Sequence, residues 1–577
     1  METRDFVLKY FGKYAGGMRK IFPSIENWLK KSEIGMHIDT YYAMMLFILL
    51  VSIFSGAILV VVAILTRLLL LGVVGIFVPF VSLAILVLIP PMLALNRGSA
   101  LDSEFPHVAN YLSTIVMSGL SPFESFERII RASHIFQHSA EIARRFVILN
   151  RMLGKDPLTA FAELSERTTS NKVKETLSGY IATVKSGGDV VDYLNKRARL
   201  LFQELLVGVK IIADRLAGLL ESYLAITLLT LISFSVLYFV TAGFAGVVPF
   251  GLSDFQMFLF LYIIMPFLSF AIIYLTDVMQ YKDPYMDWRP ITFYMAVSLP
   301  IITVLSIVVF VVGSVPALAS FPIISALKSF LLLGQPVIDY LQVSVMLSTI
   351  LIIGSIPSII YYMIISRDYK VISGITRFLR DLVEVRKTGL SPEKSIIELS
   401  WRDYGYFTPH LRKMALQLSL GIPLSVIFDN IEKNIKSWMG KALLYVLTDS
   451  IEVGGGTVEV LENLAWFAES VEAIENEKKR SLRTLLIVPY MGALLSSFTI
   501  IYMVAFMTSL PYQVGGFGRA AGLVLPSIVI NSYIMGLVAG KVSSGRIAAG
   551  FLHATLLTLA NLLLFLMAPL FVSGVSF

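Results

Sequence analysis

Apolar residues along this chain fall in runs too long and too continuous for half-buried strands or amphipathic surface helices. Each reaches or approaches the roughly 20 residues that a helix needs to cross about 30 Å of hydrocarbon. Nine windows qualify: 43–65, 68–88, 222–240, 255–276, 291–313, 341–365, 484–509, 520–540 and 548–572. A further apolar stretch, 321–333, is too short to span and carries Lys328, so it is expected at the interface or as a re-entrant segment. Counting it would give ten spans, and the expected number is about nine. The first window follows a polar, basic stretch and reads as a retained anchor rather than a cleaved signal peptide.

The polar segments between these runs show a different period. Phe105, Val108, Ala109, Leu112, Ile115 and Val116 lie on one face of a helix, as do Ile375, Phe378, Leu379 and Leu382. No strand pattern emerges. The expected fold is all-α, a polytopic membrane protein with about nine transmembrane helices and two repeated cytoplasmic helical bundles. Its layout is an amphipathic amino-terminal segment (1–42), two spans (43–95), a first bundle (96–215), four spans (216–365), a second bundle (366–483) and three spans (484–577).

The two bundle segments repeat each other. Gly119-Leu120-Ser121-Pro122 returns as Gly389-Leu390-Ser391-Pro392, and Gly187-Gly188 returns as Gly454-Gly455. In the four-residue motif, Gly suits a helix end that needs positive φ, Ser caps the next helix and Pro fits its first turn. Both motifs therefore read as hinges between helices. From 190 towards 215 and from 458 towards 483 nothing stops the helical pattern before a span begins, so a bundle could pass motion to its span or simply be tethered by it.

Charge fixes the expected orientation. All but three of the 47 Lys and Arg residues lie on the side that holds both bundles, the exceptions being Arg67, Lys328 and Arg519. Basic residues are retained on the cytoplasmic side, so the amino terminus is expected inside and the carboxyl terminus outside. All but two of the 40 Asp and Glu residues follow them inward, so the formal net charge of +7 reflects topology and gives no reason to expect nucleic acid as a partner. With 56% hydrophobic and 15% charged residues, a purely soluble enzyme is excluded. Cysteine is absent, which removes disulfides, thiolate metal sites and cysteine nucleophiles.

Catalytic constellations are missing. There is no P-loop and no G-x-S-x-G elbow. His134 and His138, with Glu141 nearby, have metal-ligand spacing but no third strong ligand, and they read as a solvated helix face; His410 reads as structural. Charge within the spans is limited to Glu221 and His553 near their cytoplasmic ends, and Pro300, Pro357 and Pro526 interrupt spans without charged partners. No catalytic residue, metal or cofactor is expected. Ser532, Gly536 and Gly540 form a small-residue stripe suited to close helix packing, within the chain or in a homo-oligomer. Near the amino terminus, Phe6, Leu8, Tyr10, Phe11 and Tyr14 alternate with Arg4, Lys9, Lys13, Arg19 and Lys20, which suits membrane lipids or a docking protein.

Two helical bundles, each with a Gly-Leu-Ser-Pro turn, a later Gly-Gly and an exit into a span, resemble the type II secretion F-domain family. The long single chain and its leading pair of spans are most similar to the archaeal TadC- and FlaJ-like platforms of pili and the archaellum. The resemblance covers roughly 102–507 and rests on the order and duplication of short motifs. It implies a non-enzymatic platform that couples a hexameric cytoplasmic secretion ATPase to pilin or archaellin subunits leaving the membrane. One departure is visible: Asp189 follows the first Gly-Gly, whereas Gly456 and Thr457 follow the second. The helices after the turns are expected to face solvent with Glu124, Glu127, Arg128 and Arg131 in the first bundle and Glu393, Lys394, Glu398 and Arg402 in the second. Arg377, Arg380 and Lys387 form a basic stripe on the second bundle alone. Arg128, Arg131, Asp189, Arg377, Arg380, Lys387 and Arg402 are the candidate ATPase contacts. A transporter or channel with regulatory bundles is the first alternative, and a membrane-anchored sensor or scaffold the second.

Overall fold

In a computed structural model of the chain, residues 3–32, 36–66, 69–243, 251–280, 287–315, 321–335, 337–509 and 517–573 are described. All regular structure among them is helical. Nine helices among the described residues are long and apolar enough to cross a membrane, one over each expected window. Arg67, one of the three basic residues assigned to the outside, lies outside the described residues. The short apolar stretch forms the helix Pro322–Leu331, whose Leu331 is buried with Val309, Met346 and Ile350.

Two expected boundaries fall inside continuous helices. The helix Leu69–Met117 passes through four prolines, and Val190–Gly243 runs for 54 residues. With no Gly-based stop at 95 or 215, hydrogen bonding simply continues as the side chains change from apolar to polar. Pro357 and Pro526 likewise lie inside continuous helices, but at Pro300 the backbone adjusts: a π-helical turn, Tyr294–Ser298, stands just before it. It absorbs the missing N–H and the ring's clash with the preceding turn.

By contacts, the chain forms two compact units. Unit 1 comprises Met1–Phe202 and Leu444–Val460; unit 2 comprises Gln203–Leu443 and Leu461–Phe577. Unit 1 opens with the helix Thr3–Ile21, which buries Val7, Ala15 and Met18 among residues of the helix Ile38–Thr66 and sets Phe11 against Phe47, ring centroids 5.5 Å apart. Leu8, Tyr10 and Tyr14 are exposed. Of the apolar side chains grouped together by the sequence reading, Leu8, Tyr10 and Tyr14 are thus exposed and Phe11 packs inward, because the buried face follows i, i+4, i+8 from Val7, while the Phe6 side chain lies outside the described residues.

The first bundle packs around an aromatic cluster in which Phe146 and Phe161 stack at 4.4 Å, with Phe126 edge-on to both. Glu104 is fully buried there, and its carboxylate accepts the backbone N–H groups of His138 (3.1 Å) and Ser139 (2.9 Å). The helix Gln137–Val147 has no side-chain cap of its own, so Glu104 satisfies its orphan donors from a distant element. Glu141 pairs with Arg97 at 3.2 Å.

Unit 2 holds the small-residue stripe. A Cβ on Gly536 would stand 2.2 Å from the Cα of Ala554, and one on Gly540 would stand 2.0 Å from the backbone N of Gly550. The stripe of the helix Phe517–Ser544 is therefore occupied within the chain by the helix Gly550–Ser573. Lys541, assigned to a loop by the sequence reading, lies in the last turn of Phe517–Ser544 and is 2% exposed. Its ammonium donates to Asp277 (2.5 Å) and to the carbonyl of Gly545 (2.8 Å). A buried lysine is tolerable because both contacts satisfy its charge and its donors.

Candidate functional site: the paired turns of the two bundles

Each bundle consists of the same succession of helices. After the first turn come Pro122–Arg128, Gln137–Val147, Pro157–Arg167, Asn171–Lys185 and Val190–Gly243; their counterparts are Pro392–Leu399, Thr408–Ser419, Leu424–Glu432, Trp438–Glu452 and Val458–Thr484. The opening turns match closely. Gly119 and Gly389 take φ of 102° and 92°, a region closed to residues with a Cβ. Ser121 then accepts from the N–H of Glu124 and Ser391 from that of Lys394, both at 3.3 Å, and Pro122 and Pro392 fill the first helical position. Leu120 and Leu390 bridge Gly and Ser.

The later turns are built alike and used differently. Gly187 N–H bonds to Val184 and Gly188 N–H to Thr183; Gly454 N–H bonds to Ile451 and Gly455 N–H to Ser450. Both are Schellman closures with a left-handed glycine, φ 69° at Gly187 and 103° at Gly454. Asp189 then caps the helix Val190–Gly243 through the N–H groups of Val191 (2.8 Å) and Asp192 (3.1 Å). Thr457 caps Val458–Thr484 through the N–H of Val460 at 3.4 Å. Asp189 and Thr457 are thus equivalents, and Gly456 is one extra residue in the second turn. This accounts for the departure between the two sequence motifs.

That extra residue comes with burial. Gly187 and Gly188 are exposed, whereas Gly455 and Gly456 are buried in unit 1. A Cβ on Gly455 would stand 2.0 Å from the Oγ of Ser118, the residue beside Gly119. The second bundle's glycine turn therefore lies against the first bundle's opening turn.

An ion pair fastens the same contact. Arg128 Nε donates to Asp449 at 2.9 Å, and the Tyr111 hydroxyl donates to the other carboxylate oxygen at 2.8 Å. Asp449 is 7% exposed. Burial, with the nearby Asp449 carboxylate, pushes the Tyr445 phenol up from its ordinary value, so it stays neutral. Arg128 is consequently turned inward, and the expected solvent-facing position is corrected: its partner lies 321 residues away and is invisible to local periodicity. Glu127 is also half-covered and receives Arg151 at 2.5 Å.

The other candidate contacts stay at the surface. Arg131 and Asp189 are exposed. On the second bundle, Arg380 pairs with Glu469 at 2.6 Å, Lys387 with Glu462 at 3.2 Å and Arg402 with Asp381 at 2.9 Å. The first two pairs lace the helix Val371–Lys387 antiparallel to Val458–Thr484, so the basic stripe is largely matched by acids of its own bundle. Arg377 bonds weakly to the Ser373 carbonyl at 3.4 Å. Sequence reasoning missed Asp449 and Tyr445; the available signal was the single charged residue in the stretch 442–451.

The exits differ too. Val190–Gly243 is continuous, whereas Val458–Thr484 ends at Leu485 and Leu486 before Ile487–Ser509 begins. Pro489 explains the break, since it lacks the N–H that would bond to Leu485 and its ring crowds that carbonyl.

Two stretches, 108–238 and 378–505, match the family model described as type II secretion system protein F. Two domains of that family therefore lie in this one chain. An uncharacterized protein of Methanocaldococcus jannaschii is 21% identical over 528 residues, covering 84% of this chain and 83% of its own length. No solved structure matches the chain at comparable stringency.

Proposed function

From two type II secretion F domains on one multi-pass chain, we propose that the protein is the membrane platform of a type IV pilus-like machine, whether pilus, archaellum or related secretion system. In this reading a hexameric cytoplasmic ATPase works on the bundles, and its motion is passed to pilin subunits being drawn from the membrane. Both bundles face the cytoplasm with the amino terminus, and the carboxyl terminus lies outside, as the distribution of basic residues supports. The observation that carries the reading is the Val190–Gly243 helix, which begins at a bundle hinge and continues without interruption into an apolar span. A rod of this kind transmits displacement between a soluble partner and the bilayer. The exposed Arg131, Asp189, Arg377 and Arg402 are the contact positions proposed here; Arg128 serves internally.

The test uses the full-length protein in lipid nanodiscs with the secretion ATPase of its host. The reading expects micromolar or tighter binding that changes with nucleotide, and loss of filaments on deletion of the gene. Absence of binding together with solute flux in proteoliposomes would replace it with the transporter reading.

A further inference from the structure

Unit 2 contains a cleft of about 630 Å³ of whose lining the platform reading uses only Arg377. Its volume falls within the range of small-ligand sites. Six basic side chains line it: Lys370, Arg377, Lys436, Lys478, Lys479 and Arg546. Glu472 and Glu475 are the acidic residues on its wall, so the cleft carries an excess of positive charge.

Its position narrows the ligand. Lys370 closes the short turn Arg367–Lys370 directly after the apolar helix Asp339–Ser366, and Arg546 follows the apolar helix Phe517–Ser544 by two residues. Lys478 and Lys479 stand about two turns before the break at Leu485. Cations from five separate segments thus converge beside the ends of apolar helices, which is the depth at which lipid headgroups lie. Trp438 and Tyr406 also line the cleft, and the Lys370 ammonium lies 5.9 Å from the Tyr406 ring centroid. Aromatic rings beside basic groups at a helix end are the usual furniture of a membrane interface. Ser543 and Ser544 add hydroxyls, and Ser544 Oγ accepts from the Arg546 N–H at 3.4 Å.

We propose that this cleft binds a phosphate-bearing anion, supplied by the headgroup of an anionic phospholipid. Lysine and arginine grip phosphate oxygens through charge-assisted hydrogen bonds, and acyl chains would leave along the apolar helices. The bound lipid would then join the second bundle to its spans beside the break that leaves them otherwise less rigidly connected.

The test compares full-length protein in phosphatidylcholine nanodiscs with and without a minor fraction of phosphatidylglycerol, by native mass spectrometry and thermal unfolding. The wild type should retain phosphatidylglycerol selectively and unfold at a higher temperature in its presence. Lys370→Gln/Arg377→Gln/Lys479→Gln should weaken retention roughly a hundredfold, at about fivefold per lost cation. Lys394→Gln/Lys413→Gln/Lys433→Gln, with equal charge loss outside the cleft, should retain it. Lys479→Gln alone, an exposed position, keeps the comparison available if the triple variant fails to fold. Detergent-solubilised protein titrated with inorganic phosphate separates the sources: saturable binding with the same variant pattern and no need for acyl chains would assign the site to free phosphate instead of lipid. Equal retention by the wild type and both cleft variants, or no preference over phosphatidylcholine, would overturn the proposal.

Discussion

The two bundles share one succession of helices and the same opening turn, yet they are tied into the molecule in opposite ways. The first leaves its glycine hinge in solvent and continues into a single 54-residue helix. The second buries its hinge against Ser118 and breaks its exit helix at Leu485 and Leu486. One bundle has an open hinge and an unbroken exit helix; the other has a covered hinge and a two-residue turn in its exit helix. Two copies of one fold are thus anchored differently, and the sequence differences responsible are few: Gly456, Asp449 and Pro489.

The largest effect should come from removing the charge that holds the second hinge. Asp449→Ala leaves the half-buried Arg128 without its partner and should cost about 3 kcal/mol in denaturant unfolding, the low end of the range for a broken buried pair. Arg128→Leu/Asp449→Leu should recover most of that loss, which distinguishes an uncompensated charge from lost packing. Next, Val207→Pro puts into the first exit helix the interruption that the second already has, at a cost of about 3 kcal/mol. It should abolish filaments while the protein still inserts, whereas Pro489→Ala should leave stability within about 1 kcal/mol.

These two sites also show what the chain discloses in advance. Spans and opening turns were legible because their causes are local: continuous apolar runs, and a Gly, Ser and Pro acting within a few residues of each other. The Asp449 contact was not, since its partners lie 338 and 321 residues away and only folding brings them together. The exit break was legible in principle, but Pro489 sits inside a window apolar enough to read as uninterrupted span. Arg380 and Lys387 lie exposed on one helix, while the acids they meet, Glu469 and Glu462, come 89 and 75 residues later and so escaped notice.

A smaller contrast tests burial of the hinge itself. Gly455→Ala drives a methyl into Ser118 and should cost about 1–3 kcal/mol, whereas Gly188→Ala, whose nearest neighbour is the Thr183 methyl at 3.1 Å, should cost less than about 1 kcal/mol. Weaker still, exchanging Arg380 and Glu469 should change stability by no more than about 1 kcal/mol, because the pair is exposed and screened. If ATPase binding nevertheless falls, the surface charge pattern rather than the fold is being read.

The smallest effect concerns pH. The Gly405 N–H and the Thr408 hydroxyl hold the Asp403 carboxyl below the usual aspartate range. A lowered folded value means that its contribution is present above the unfolded pKa and is lost as pH falls through the folded one. Asp403→Asn should therefore lower stability slightly at neutral pH and flatten the acid limb, the two profiles meeting once pH falls below the folded value.

The central claim is that the first exit helix is a rigid rod and the second is jointed. The absence of cysteine allows spin labels to be introduced without background. Val207 with Leu229 and Ala473 with Leu495 are exposed pairs of equal spacing, about 33 Å along an unbroken helix. Double electron–electron resonance in nanodiscs should give a narrow distribution near that distance for the first pair and a broader or shorter one for the second. Equal, narrow distributions at the full helical distance would contradict the account.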